Sequence, residues 1–142
     1  MSQAQFYNDA IVAEARANHG AGRLPEPDAT LTLDNPLCGD RVTLDLGLAD
    51  GKVTALAQKT RGCLLTQAAA SLLAHHAAGL DAQAVERVTA ELQRLLQGET
   101  VEPSWPDLAM FAPVAAVRSR HACVLLPFQA LRQALAPARQ RP

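Results

Sequence analysis

The feature that most restricts how this chain folds is one dipeptide, Asp50-Gly51, set between two alternating runs. Before it, Arg41-Val42-Thr43-Leu44-Asp45-Leu46 places Val42, Leu44 and Leu46 on one face; after it, Lys52-Val53-Thr54-Ala55-Leu56-Ala57 returns. Asp-Gly accepts the positive φ angles of a two-residue turn, so the runs pair as an antiparallel hairpin. Thr30 to Asp34 alternates as well and supplies a third short strand. The remaining elements read as helices. A first covers Ala4 to Ala17, with Phe6, Ala10, Ala13 and Ala17 near helical spacing, and Asn18 to Gly22 stops it. A second runs from Leu64 to Ala78 on a stripe of Leu65, Ala68, Ala69, Leu72 and Leu73, and Gly79 closes it. A third starts after Asp81 as cap, buries Val85, Val88, Leu92, Leu95 and Leu96, and ends at Gly98. Glu99 to Pro113 has three prolines and no period, so a loop with at most one short helical turn is expected. The last helix is expected from about Val114 to Ala136, broken or kinked at Pro127, which cannot donate to the Cys123 carbonyl. The predicted class is α+β: a small three-stranded antiparallel sheet packed against four to five helices.

The chain has 142 residues, the size of one domain with a real core, and a single domain over 1–142 is expected. Only five residues are aromatic (Phe6, Tyr7, Trp105, Phe111, Phe128), so that core must be aliphatic. A formal charge of −1 lacks the basic excess that phosphate-backbone binding needs, which argues against nucleic acid as a partner. No run is long and apolar enough to span a membrane, and Met1 to Gln5 shows no secretory signal pattern. Three cysteines without such a signal fit a reducing compartment and read as thiols, metal ligands or nucleophiles.

Asn35-Pro36-Leu37-Cys38-Gly39-Asp40 sets a thiol and a carboxylate two positions apart in a Pro/Gly-shaped loop that leads into a strand. Cys63 follows Gly62 at the first turn of a helix, where dipole and amides favour a thiolate. Cys123 sits on the final helix near Arg120 and His121. Together, Cys38, Asp40, Cys63 and Cys123 supply the four groups of a tetrahedral soft-metal site. An inert buried thiol is the plain alternative for any one of them, Cys123 above all. Spacing alone leaves both open, because there is no C-x-x-C pair. Among the histidines, His75 and His76 end a helix and are expected to be solvated, and His19 caps one. His121 is expected beside the site rather than in it, since residues i and i+2 of a helix diverge.

The Asn-Pro-x-Cys-Gly-Asp motif, Gly62-Cys63 opening a helix, and a third cysteine on the last helix resemble the U-type iron–sulfur scaffold family (IscU, SufU and the N-terminal part of NifU). The likeness extends over most of the chain and is nearer the SufU branch. Fifty-nine residues separate Cys63 from Cys123, Ala122 stands where IscU has histidine, and Phe111-Ala112-Pro113-Val114-Ala115 does not reproduce the IscU Leu-Pro-Pro-Val-Lys motif. Arg120 is similar to an arginine of the SufU type. Leu64-Leu65-Thr66-Gln67 replaces the family's Ser-rich helix start.

This resemblance implies a SufE/NifU-like fold in the cytoplasm and one zinc ion held by Cys38, Asp40, Cys63 and Cys123. It implies a SufS-type cysteine desulfurase as sulfur donor, Cys123 as persulfide acceptor supported by Arg120, and downstream iron–sulfur assembly proteins as recipients. The protein would act with the desulfurase rather than as a stand-alone catalyst. An alternative is a scaffold that builds a [2Fe–2S] cluster on Cys38, Cys63 and Cys123. A zinc hydrolase with Asp40 as base fits poorly, as catalytic zinc favours histidine and an open position; a purely structural zinc module is the bland remainder.

Overall fold

The computed structural model describes residues 8–37 and 39–136. Its sheet has three strands, β1 (Ala29–Asn35), β2 (Asp40–Ala49) and β3 (Lys52–Arg61), antiparallel in the order β1-β2-β3. Asp50 and Gly51 take φ of 54° and 76°, the turn whose twist matches a tight hairpin. Each strand outruns its expected bounds. The longer β3 carries the chain straight to Gly62-Cys63, and the longer β2 starts at Asp40, opposite Asn35.

Val42, Leu44 and Leu46 are fully buried against the helices. The other face of the sheet is largely polar. The free edge of β3 is covered twice, which blunts it as a template for further pairing. At Gln58 the segment 20–22 pairs with it (Gly22 N–H to the Gln58 carbonyl, 3.0 Å; Gln58 N–H to the Gly20 carbonyl, 2.7 Å), and at Val53 Gly79 and Leu80 do the same.

The described residues hold four α-helices, α1 (Asp9–Ala17), α2 (Leu64–His76), α3 (Ala82–Leu96) and α4 (His121–Ala134); α2 and α4 pack on the apolar face of the sheet, α1 packs on α2, and α3 packs on α4. The stripes expected for α2 and α3 are buried, and Asp81 caps α3 by accepting from the Ala84 amide at 2.8 Å. The first helix departs from expectation. Asn8 caps it through the Ile11 amide, and Ala10, Ala13 and Ala17 are exposed, whereas Ile11 and Ala15 are buried. A short helix laid on α2 buries one narrow i, i+4 ridge, and the isoleucine, with more apolar surface than any alanine, sets its phase. Ala4 to Tyr7, including Phe6, lie outside the described residues.

The region after α3 also departs. A 3₁₀ segment spans Pro106–Ala116 and a further 3₁₀ turn spans Arg118–Arg120, so α4 starts at His121 rather than Val114. Leu108, Phe111 and Val114 are fully buried. Their spacing of three is the repeat of a 3₁₀ helix, in which residues i and i+3 eclipse. Nor does Pro127 break α4, which runs through it with Pro127 buried. No helix among the described residues is long and apolar enough to cross a membrane.

Candidate metal centre

The start of β2, the end of β3 and the first turns of α2 and α4 meet at one end of the sheet. Asp40, the first residue of β2, is 3% exposed. Cys63 is the N-cap of α2, with φ −70° and ψ 170°, and is half-buried. Cys123, the third residue of α4, is 1% exposed. One carboxylate oxygen of Asp40 and the two sulfurs lie within 4.8 Å of one another, the one such trio of metal-ligating groups among the described residues. The Cys63 Sγ to Asp40 Oδ2 separation is 3.8 Å. Bonds of about 2.3 Å to sulfur and about 2.1 Å to oxygen give tetrahedral edges of about 3.5–3.8 Å, a range that the Cys63–Asp40 separation meets, and two thiols with a carboxylate are donors that suit a zinc-like ion. Cys38, expected as a fourth ligand, lies outside the described residues.

Local sequence explains how the carboxylate is held. The Asn35 side chain accepts from the Leu37 amide at 3.1 Å, and the Gly39 amide reaches the Asn35 carbonyl at 2.8 Å. Gly39 takes φ 75°, a left-handed value that glycine adopts without strain. Across the site, Thr66 Oγ1 donates to Asp40 Oδ2, and the Cys63 amide donates to Asp40 Oδ1 at 3.3 Å. The carboxylate therefore lies at the N-terminus of α2, where backbone amides and the helix dipole favour negative charge. Gly62 is required by space: a Cβ there would stand 2.6 Å from Asp40 Oδ1 and 2.7 Å from Cγ. Gln67 braces the same corner, donating through Nε2 to the Gly62 carbonyl at 2.9 Å.

Thr66 and Gly62 are parts of the site that reasoning on cysteines alone passes over. A readable signal exists for Thr66: three residues after the N-cap, it faces the same side as Cys63, and its Oγ1 is 3.4 Å from Cys63 Sγ.

Arg120 is half-buried at the end of the 3₁₀ turn that leads into α4. His121 points its Nε2 at the carbonyls of Val114 (3.0 Å) and Ala115 (3.3 Å), which makes it a brace beside the centre. The other imidazoles lie towards the far end of α2. His75 is exposed, as expected, but His76 is not simply solvated. It stacks on Trp105, with ring centroids 4.3 Å apart, and its Nε2 is 3.0 Å from Asp107. His19 uses its amide to reach Ser71 Oγ at 2.8 Å, and Ser71 in turn donates to Glu14.

A second buried carboxylate, Asp45, escaped the sequence reading. It accepts from Arg23 Nε (2.6 Å) and Nη2 (3.1 Å), the Leu24 amide (3.1 Å) and Thr30 Oγ1 (2.7 Å). The Arg23 hydrogen bonds lead in holding its pKa down to about 2; Thr30 and the Leu24 amide help, while burial opposes them. This group is a structural anchor on the other face of the sheet.

Fold and centre together define a class, an α+β domain that gathers thiols and a carboxylate where a sheet end meets two helix starts. The chain belongs to the family of the NifU-like N terminal domain, whose model matches residues 6–123. It is 32% identical to a nitrogen-fixing NifU-like protein (N-terminal) from Brucella abortus, with a TM-score of 0.89 over 98% of both chains. An iron-sulfur cluster assembly scaffold protein IscU of Thermotoga maritima is 26% identical over 131 residues, 92% of each chain. The fold is also that of a putative iron-sulfur cluster assembly scaffold protein for the SUF system from Fervidobacterium islandicum AW-1, at 21% identity and a TM-score of 0.86 over 94% of this chain and 99% of that one.

Proposed function

We propose that this chain is an iron–sulfur cluster assembly protein that accepts sulfur from a SufS-type cysteine desulfurase on a zinc-binding thiol centre. The observation that carries the reading is the meeting of Asp40, Cys63 and Cys123 within 4.8 Å, brought from three elements to one point. Cys38, from the motif Asn35 to Asp40, completes the ligand set. When bound, zinc keeps the thiols deprotonated and shields them from oxidation without redox chemistry of its own.

The chain's own residues do the rest. Asp40, fixed by Thr66 and the Cys63 amide, is the hardest ligand and the one most readily exchanged. Cys123 stands in the first turn of α4, and Pro127 has no N–H to tie that turn to the next. This supports an opening of the turn that exposes the buried sulfur. The Cys123 thiolate then attacks the outer sulfur of the donor's persulfide. A new S–S bond forms on Cys123, the donor's own S–S bond breaks and leaves its thiolate, and no net oxidation occurs. Arg120, three residues before, supports docking and the thiolate. From Cys123 the sulfur passes to downstream iron–sulfur assembly proteins.

A second reading is favoured by the named function of the Thermotoga relative: a scaffold on which a [2Fe–2S] cluster is assembled as cargo on the same thiolates. Metal analysis and absorbance of protein purified without oxygen separate the two. Stoichiometric zinc in a colourless protein supports the acceptor; a brown iron-containing protein supports the scaffold. Mass spectrometry after reaction with desulfurase and cysteine tests the acceptor residue. A gain of about 32 Da on Cys123, one sulfur atom, is expected, and a persulfide confined to Cys38 or Cys63 overturns the assignment. Chelation is expected to lower the melting temperature by many degrees, because one ion ties sheet and helices together.

A further inference from the structure

Strand register places a cluster of cations on the outer face of the sheet, next to the centre. Side chains one residue out of phase with Val42 and Leu44 point away from the core. On that face Arg41 stands opposite Arg61, and Thr43 stands opposite Lys59. Arg23 crosses onto the same face to reach Asp45. Arg23, Arg41, Thr43, Lys59, Thr60 and Arg61 line a shallow hollow of about 280 Å³. Arg41 pairs with Asp34 at 2.6 Å, leaving Arg41 and Asp34 both about half exposed. Neither Lys59 nor Arg61 has an ion pair among the described residues, and both are exposed. The Arg41 hydrogen bond, aided by the charges of Arg41 and Arg61, holds the Asp34 carboxyl below its ordinary range.

The position of this cluster is informative. Arg41 directly follows Asp40, and Arg61 is two residues before Cys63, so the cationic row lies at the same end of the sheet as the ligands, on the opposite face. The whole chain carries 13 basic and 14 acidic residues, so the positive face is a local feature of a nearly neutral molecule. Among the described residues the strand positions that share this face are Thr, Asp, Arg, Lys, Ala and Gly, with no aromatic residue. Single-stranded nucleic acid binds by stacking on aromatics in a broadly basic groove, and this face has neither. With Arg41 and Arg23 engaged by Asp34 and Asp45, the Arg61 fork and the Lys59 ammonium remain on the sheet surface to meet the carboxylates of a folded acidic protein surface.

We propose that the outer sheet face around Arg41, Lys59 and Arg61 docks an acidic surface of the protein that delivers sulfur to the centre. The proposal rests on the sulfur-acceptor reading above and adds the surface and the charge of the partner. Docking there holds the donor at the end of the sheet where Cys63 and Cys123 lie, from which its reactive group reaches round the sheet's end, and the opposite charges speed encounter more than they tighten the final complex. Because the cations are exposed, the effect is screened by salt.

The test compares the parent chain with the double variant Lys59→Glu/Arg61→Glu and the charge-keeping Lys59→Arg/Arg61→Lys. Association with a SufS-type desulfurase is followed by biolayer interferometry at low and high salt, with metal content and melting curves measured for every variant. The reversal is expected to slow association about tenfold or more at low salt and to abolish its salt dependence. Metal content should stay at the parent level, and the charge-keeping variant should match the parent. Association within about twofold of the parent at low salt, with the variant folded and loaded, overturns the proposal. So does tight binding of a single-stranded oligonucleotide at physiological salt that the reversal removes, which would assign the face to nucleic acid. If the parent takes up no sulfur from the desulfurase at all, the acceptor reading falls and this proposal with it. If parent and reversal variant take up sulfur and associate equally fast, only the docking proposal falls.

Discussion

Two carboxylates stand on the same strand five positions apart, both buried, and do opposite things. Asp45, on the outer face, is ringed by a guanidinium, a hydroxyl and an amide. Asp40, on the helix side, meets a hydroxyl, an amide and two sulfurs. A buried charge is tolerated only when paired or coordinated. Asp45 is paired by its own chain with a guanidinium, so it serves stability; Asp40 lies among thiols, the position that the proposed function gives to a metal ligand. The sheet's alternation decides which is which, since an odd step along β2 exchanges one face for the other.

The largest expected effect breaks the structural half of this comparison. Asp45→Ala removes the carboxylate that accepts from Arg23, the Leu24 amide and Thr30 Oγ1, and should cost about 2–3 kcal/mol in urea unfolding, the scale of hydrogen bonds to a charged group. Metal content should not change, and an equal loss of metal would show that the two carboxylates are not separable. The same variant carries a pH signature. The folded pKa of Asp45, about 2, lies below the ordinary carboxylate value, so its stabilisation is complete above about pH 4. It is lost as the pH falls through about 2. The difference in stability between parent and variant should therefore shrink between about pH 4 and pH 2 and stay constant above.

Next comes the functional half. Asp40→Ala keeps every thiol and should weaken zinc by roughly a hundredfold in a competition titration at constant pH, with a smaller effect on the metal-free fold than Asp45→Ala has. Unchanged affinity would remove Asp40 from the ligands. Gly62→Ala should approach the same loss by a different route, because its Cβ needs the space of the Asp40 carboxylate. Thr66→Val keeps the shape and removes only the hydroxyl that orients Asp40. A loss of about tenfold is expected, and none at all would mean that the helix amide suffices to hold the carboxylate.

The smallest effect calibrates the pair against an ordinary carboxylate. Asp107, partly exposed, contacts His76 at 3.0 Å. Asp107→Asn should cost no more than about 1 kcal/mol, with zinc affinity unchanged, as surface pairs do. A loss on the scale of Asp45→Ala would show that exposure does not separate these roles.

Much of the fold was legible because its signals are local. Asp50-Gly51 specifies its turn through φ, Asp81 and Gly98 bracket α3, and the stripes of α2 and α3 repeat at the helical period. Legibility failed where competing local signals were weak. In α1 alanines spaced like a stripe gave way to Ile11, and between residues 106 and 116 the prolines hid an apolar repeat of three. Pro127 was expected to break or kink α4; the helix runs through it unbroken, since packing of α4 against α2, α3 and the sheet outweighs one missing hydrogen bond.

At the centre, the chain's residue types set the donor chemistry on offer: thiols and one carboxylate, each near the edge of an element, with Cys63 at the N-cap of α2. What only the tertiary structure decided is distance. Asp40 and Cys63 are 23 positions apart and Cys123 is 60 further on, yet the three meet because β3 returns the chain antiparallel to the start of β2 and α4 packs its first turn against that corner. Arg23 likewise finds Asp45 only after the segment beside β3 wraps the sheet's edge. Local sequence sets dihedral angles and periods, which act over a few residues. Contacts between distant groups depend on how several apolar faces close on one core, and that is a property of the whole chain.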